Sequence, residues 1–221
     1  MCRNCLEYWF THQSLNRRSS TVMSSTEGTC PWAVQPGPMK AYHDTEWGVP
    51  VNDDRKMFEF LVLESAQAGL SWMTILKKRD NYRKAFCDFD PVKTASFSDK
   101  DVGRLLQDPG IIRNRRKIEA AVNNAGVFLD IAMKHGSFCS FIWRYTDGMP
   151  VINSFTRVED VPAETKLSRR ISTDLKNMGF RFFGPVICYS HMQATGMVND
   201  HMVFCSRYDE INAFQETACG V

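Results

Sequence analysis

Beyond Pro50 the apolar residues of this chain recur at helical spacing. Met57, Phe58, Leu61 and Leu63 run towards Ala68, with Asp53 or Asp54 placed to cap the start. Gly69 ends or bends that helix, and a second helical piece is expected from Ser71 to Lys78. Asp90-Pro91 reads as an N-cap followed by a first-turn proline. Ser98 and Asp101 have the spacing of a capping box ahead of Val102, Leu105 and Leu106. Asp108-Pro109-Gly110 breaks the pattern, and a longer helix follows with Ile112, Ile118, Ala121, Val122 and Phe128 apolar. Leu167 to Met178 is expected to be helical up to Gly179, and 184–201 to be another helix bounded by glycines. Strand signals are few and short, such as 181–183. The pattern predicts a mainly α protein with no repeats and no coiled-coil heptads.

One stretch breaks this rhythm. AYHDTEWGVP, 41–50, is too polar for a core strand and too aromatic for an ordinary surface turn. It reads as a loop whose residues belong to a site.

Composition narrows the class. A chain of 221 residues suits one large domain or two small ones, and 43% hydrophobic with 24% charged residues is ordinary for a soluble globular protein. The net charge of +2 neither demands nor excludes a nucleic-acid partner, so any basic surface must be local. No apolar run is long enough to span a bilayer, which argues against a membrane partner. The eight cysteines are scattered, which suggests a reducing compartment with free thiols rather than a disulfide scaffold. Residues 1–29 lack periodicity and are rich in Ser and Thr, so a poorly ordered extension is expected there, with 30–208 as the domain and 209–221 as a flexible tail. Met23 is an alternative start, Arg17 and Arg18 among serines also allow a transit-peptide reading, and Cys2 and Cys5 form a lone CxxC.

Three features carry candidate chemistry. The first is LLQDPGIIRNRRKI, 105–118, a helix, a tight turn and a second helix. Gly110 is expected to give the turn a positive φ and to let a foreign backbone come close. The amides from Gly110 to Ile112 are expected at a helix N-terminus, where an anion such as phosphate is favoured. Arg113, Arg115, Arg116 and Lys117 add positive charge close by. An ordinary αα-corner with a solvated basic face is the alternative.

The second feature is a split ligand set. Cys30 and His43 form C-x12-H, and His201 and Cys205 form H-x3-C. Together they supply the Cys2His2 donors of a structural zinc, which would staple the two ends of the folded region. The spacing alone favours a buried thiol and two satisfied histidines. The third feature is Trp32, Tyr42, Trp47 and Trp72 with Glu64. Aromatics mostly build cores. A glutamate among Leu61, Val62, Leu63 and Ala66 is either on a solvent face or buried with a partner, and a cationic ligand would suit it.

CPW at 30–32, AYHDTEWGVP, LESAQAGLSWMTILKKRDNYRKAF at 63–86, FDPVK at 89–93, GIIRNRRKI at 110–118 and ICYSHMQATGMVNDH at 187–201 together resemble 3-methyladenine DNA glycosylase type I. The likeness runs from about Cys30 to Cys205. It implies a helix-hairpin-helix DNA glycosylase fold whose N- and C-terminal segments join at a structural zinc held by Cys30, His43, His201 and Cys205. It implies hydrolysis of the N-glycosidic bond of 3-methyladenine in alkylated double-stranded DNA, by a monomer in the bacterial cytoplasm. The flipped base would sit between Tyr42, Trp47 and Trp72, with Trp32 at the edge and Glu64 on the base edge as the catalytic residue. Leu70 would be the wedge filling the duplex. Gly110, Ile112, Arg113, Arg115, Arg116 and Lys117 would grip the backbone. Tyr189 and Ser190 would close the pocket. Asp44 would orient His43 or cap a turn. Met39 stands where that family often has an aromatic residue. A non-catalytic alkylated-DNA binder and a zinc-stapled interaction protein are the competing functions.

Overall fold

The computed structural model describes residues 28–218, with side chains described as far as 213. The expected extension, Cys2, Cys5 and Met23 lie outside those residues, apart from Gly28 and Thr29. The described residues fold into α1 (Pro38–Thr45), α2 (Asp54–Gln67), α3 (Trp72–Ala85), α4 (Pro91–Ala95), α5 (Asp99–Gln107), α6 (Arg115–His135), α7 (Phe138–Ile142), α8 (Lys166–Asn177), α9 (Pro185–Ala194) and α10 (Ser206–Ala218). A parallel pair, β1 (Val151–Ile152) and β2 (Val198–Asn199), completes the set.

The central element is α2. The Asp53 carboxylate accepts from Lys56 N at 2.7 Å and starts it. Every residue from Met57 to Gln67 is buried. That is possible because α3, α6, α7 and α9 all pack around it. Asp54 reaches outward instead and accepts from the amides of Phe138 and Cys139 at 3.0 and 2.8 Å, fixing the start of α7. Gly69, with φ +79°, turns the chain out of α2. The cap at Asp90 and the capping box at Ser98 and Asp101 form as the sequence predicts.

Several boundaries differ from the sequence expectation. The first half of AYHDTEWGVP is not a loop: α1 runs to Thr45, started by Pro38, and is too short to show a period. The helix from Ser71 continues to Ala85, with Trp72, Ile75, Tyr82 and Ala85 buried and Met73 and Leu76 packed against the core. The stretch 181–183 is no strand. Phe182 has φ 52°, and the Asn124 amide brackets Arg181, accepting from its N–H at 2.7 Å and donating to its carbonyl at 2.8 Å. The stretch 184–201 is helical only to Ala194. Thr195 Oγ1 donates back to the His191 carbonyl at 2.7 Å, and Gly196, with φ +70°, turns the chain into β2. A Cβ on Gly196 would lie 2.4 Å from Val49 C, so only glycine lets these two segments touch. Beyond 208, where a flexible tail was expected, α10 continues to Ala218.

This packing joins the first described residues to the segment ahead of α10. Gly28 bridges Cys205, and Ser206 N donates to the Gly28 carbonyl at 3.1 Å. Gly48 N donates to Gln193 O and Val51 N to Thr195 O, each at 3.0 Å, laying 48–51 against the end of α9.

Candidate metal centre and active site

Cys30, His43, His201 and Cys205 come together, all four buried, with ligand atoms within 4.8 Å of one another. Cys205 Sγ lies 3.5 Å from His43 Nε2 and 3.6 Å from His201 Nδ1, and Cys30 Sγ lies 3.6 Å from His201 Nδ1. Tetrahedral zinc with S and N donors places such atoms about 3.5 Å apart. The outer ring nitrogens are also engaged. His43 Nδ1 meets Asp44 Oδ1 at 2.8 Å, and His201 Nε2 meets the Trp47 carbonyl at 3.0 Å. Each acceptor holds the ring proton outside, which leaves the inner nitrogen free to ligate. The amide of Met202 donates to Cys30 Sγ at 3.4 Å, a contact that suits a thiolate. The hydrogen bond with Cys205, together with burial, pushes the Cys30 thiol up when no cation sits between the sulfurs. The donor set fits a metal ion.

The aromatic residues divide into two groups. Trp32 and Trp47 meet edge to face at 4.9 Å and pack over the ligand set, Trp47 lying 4.6 Å from the His201 ring and Trp32 5.0 Å from His43. Tyr42 turns the other way, 5.3 Å from Trp72 and 6.2 Å from Phe60. Adjacent positions on α1 thus send one side chain to the Cys/His cluster and one to a second cluster around Trp72 and Phe60. Met39 is buried in the same core.

Glu64 belongs to the second cluster. It is 5% exposed, and burial pushes its carboxyl up to about 7. Its carboxylate, after burial itself, is the next cause that raises the Tyr42 phenol. No hydrogen bond among the described residues engages Glu64. The buried Tyr42 hydroxyl, Trp72 Nε1 and Ser65 Oγ have no hydrogen-bond partner among the described residues either. Unsatisfied polar atoms at this density are costly in a core and common where a ligand completes the set. Tyr189, expected to close this site, donates to Asp200 at 2.6 Å, and its neighbour Ser190 is buried on α9.

The hairpin between α5 and α6 differs in detail from its expectation. Gly110 has no positive φ. Glycine is needed there for closeness, since a Cβ would lie 2.9 Å from Asp108 Oδ1 and 3.0 Å from Asn81. The amides from 110 to 112 face inward: Gly110 N donates to Asp108 Oδ1 at 2.7 Å, Ile111 N to Asp108 O at 3.4 Å, and Ile112 N to the Tyr82 hydroxyl at 3.1 Å. The helix starts later, at Arg115, with Asn114 as N-cap. The first-turn amides of Arg115 and Arg116 are therefore the ones a helix start leaves to a ligand. Arg113, Arg115 and Arg116 are exposed around them, whereas Lys117 is buried. Leu70 stands on the turn after α2 and is 36% exposed.

Comparison with known proteins decides the family. A methyladenine glycosylase family model matches residues 32–208. The chain belongs to the methyladenine glycosylase family. It is 48% identical over 179 residues to DNA-3-methyladenine glycosylase 1 of Escherichia coli, covering 81% of this chain and 96% of that one. It is 43% identical over 176 residues to the DNA-3-methyladenine glycosylase of Haemophilus influenzae, covering 80% and 95%. A crystal structure of 3-methyladenine DNA glycosylase I superposes with a TM-score of 0.78, at 48% identity, covering 80% of this chain and 97% of that one. A Staphylococcus aureus structure solved for 3-methyladenine recognition gives 0.77 at 39% identity, covering 82% and 95%. Two further solved relatives carry single changes, a tyrosine to phenylalanine in a complex with 3-methyladenine and a glutamate to glutamine.

In this family member an ion network that the sequence did not reveal sits beneath the second site. Arg79 forks onto Glu46 with two contacts of 2.7 Å and reaches Glu59 at 2.8 Å. Lys56 adds contacts of 2.6 Å to Glu46 and 3.0 Å to Glu59. Burial opposes ionisation of Glu46, yet Arg79 and Lys56 hold it at about 2. Glu46 follows α1, Glu59 lies on α2 and Arg79 on α3, so the network ties together the three elements that carry Tyr42, Glu64 and Trp72. The only sequence signal was charge in segments otherwise chosen for a site. Arg79→Met leaves Glu59, 4% exposed in its side chain, with weaker partners. The expected loss is about 3 kcal/mol in urea unfolding. A loss below about 1 kcal/mol would class the network with ordinary surface pairs. Asp200 was also missed. It is buried and accepts from Asn153, Gln193 and Tyr189 at 2.6, 2.7 and 2.6 Å, which braces the residue before His201.

Proposed function

We propose that this chain is a monofunctional base-excision glycosylase that hydrolyses the N-glycosidic bond of 3-methyladenine in alkylated duplex DNA. The observation that carries the reading is Glu64, a buried carboxyl without a described partner, next to the unpaired Tyr42 hydroxyl and Trp72 indole. Relatives named for 3-methyladenine support it, and the tyrosine and glutamate changed in solved relatives are the residue types found at 42 and 64.

Methylation at N3 gives the adenine a positive charge. As the glycosidic bond breaks, its electron pair stays with the base, which departs neutral. Water adds to the sugar carbon and gives up a proton. A strong acid on the leaving base is unnecessary. The residues need to select the flipped cationic base and hold it in place. Tyr42 and Trp72 offer aromatic faces, which attract a cation by about 0.5–2 kcal/mol. Glu64 accepts from the donor edge of the base. Trp47 and Trp32 act one layer out, by covering the metal ligands.

Zinc is the ion these Cys and His donors select, and with four protein ligands it has a structural role. A reducing cytoplasm would keep Cys30 and Cys205 available to it. The α5–α6 turn is read as the helix-hairpin-helix grip, with Arg113, Arg115 and Arg116 on the phosphates and Leu70 wedged into the duplex.

The test is base release. Methylated duplex DNA incubated with the protein should free 3-methyladenine and retain 7-methylguanine, as read by chromatography. Tight binding without release would leave a damage-binding protein instead.

A further inference from the structure

Lys117 lies on the first turn of α6, among arginines that reach solvent, yet the residue itself is only 8% exposed. Its ammonium points inward, donating to the carbonyls of Ala66 at 2.8 Å and Ala68 at 2.6 Å. The Phe182 ring lies 5.8 Å from the same nitrogen. Burial pulls the ammonium down, so the charge is held there at a cost. Two carbonyl oxygens at the C-terminal end of α2 offset that cost, because the last carbonyls of a helix have no intrahelical donors and carry partial negative charge.

These carbonyls flank a turn of particular shape. Gln67 Nε2 donates to the Leu70 carbonyl at 2.6 Å, and Leu70 N donates to the Gln67 carbonyl at 2.7 Å. Gly69 takes φ +79° between them. The turn is closed on itself, pinned from below by Lys117, and presents Leu70 outward. The backbone of Lys117 is equally fixed: its N–H donates to Asn114 Oδ1 at 3.3 Å, within the cap that starts α6.

We propose that Lys117 is a positioning residue that couples the phosphate-gripping hairpin to the Leu70 turn, and that it makes no phosphate contact itself. The inference rests on the glycosylase reading above and on Leu70 as the wedge. One rigid side chain sets the distance between the arginines at the start of α6 and the apolar residue that enters the duplex. The hairpin thereby places the wedge at a fixed step from the phosphates it holds.

Lys117→Met tests this, since it keeps length and apolar stem and deletes the donor. Duplex affinity measured against salt should keep the wild-type slope. A slope smaller by about one would make Lys117 a phosphate contact and overturn the proposal. Single-turnover release of 3-methyladenine from duplex DNA should fall at least tenfold. For the same lesion opposite an abasic site, where no pairing opposes the flip, the rate should stay within twofold of wild type. An equal fall on both substrates would mean general damage to the pocket, and no fall on either would mean the ammonium is idle. Both outcomes sink the idea. Leu70→Ala should show the same loss confined to the paired lesion, and the double variant should be no worse than either single one. If Lys117→Met does not fold, Lys117→Gln keeps a donor of shorter reach and should show a milder loss, still confined to the paired lesion. The fluorescence of 2-aminopurine beside the lesion reports unstacking without any chemistry. A wild type that unstacks but releases nothing sinks the glycosylase reading, while the variant's loss of unstacking still decides the role of Lys117.

Discussion

Glu64→Gln should cost base release roughly 100-fold while leaving duplex affinity unchanged, because in the proposed mechanism the hairpin arginines supply the phosphate contacts and Glu64 acts only on the flipped base. The amide keeps the size and one acceptor of the carboxylate but loses the charge that stabilises a cationic base. The same change should make the fold more stable at alkaline pH. Burial raises the Glu64 carboxyl from 4.5 to about 7, so the folded protein holds a proton that the unfolded chain has already released. Stability is therefore lost as pH rises from about 4.5 to about 7 and stays lost above it. The penalty at pH 8 is on the order of 3 kcal/mol, which a neutral amide at this position avoids. Two measurements check this. Urea melts at pH 8 should favour the glutamine variant. The profile of kcat/KM should rise through about pH 7 for the wild type and run flat for the variant. A glutamine variant with full activity would falsify the pocket assignment.

His201→Ala or Cys205→Ser should release the metal and lower Tm by about 10 °C or more. A structural zinc contributes on the order of 10 kcal/mol of apparent binding energy, and 1 kcal/mol shifts a domain of this size by about 2–4 °C. The candidate ligands lie on three separate segments, Cys30 before α1, His43 within it, and His201 with Cys205 between β2 and α10. Loss of the ion would let the segments around Cys30 and Cys205 part and would free the turn that carries Trp47. Strong chelators should mimic the variants, and added zinc should reverse the chelator effect. Metal analysis by mass spectrometry should give one zinc per wild-type chain. Retention of that ion by Cys205→Ser, or an unchanged Tm after its loss, would remove the staple from this account. Activity should fall with stability rather than ahead of it, because a four-ligand site leaves no position for substrate.

The helical class, most caps, the four candidate metal ligands and the acidic and aromatic residues of the second site were legible in the chain alone. Caps and breakers act on neighbours three or four residues away, and the residue types at a metal centre or around a cation are limited by chemistry. What each residue faces was not legible. Cys30 and His201 are 171 residues apart along the chain, and only packing around α2 brings them together. Tyr42 and Trp47 looked equivalent in one decapeptide, yet the helix α1 sends the first towards Glu64 and the turn after it lays the second on His201. The amides of Gly110 and Ile112 looked free until Asp108 and Tyr82 claimed them. Lys117 looked like one more cation on a basic face until the end of α2 came within reach of its ammonium. Local pattern names the residues that can do the chemistry, and long-range packing decides which of their polar atoms are left for it, because most buried donors and acceptors are claimed by partners the fold supplies.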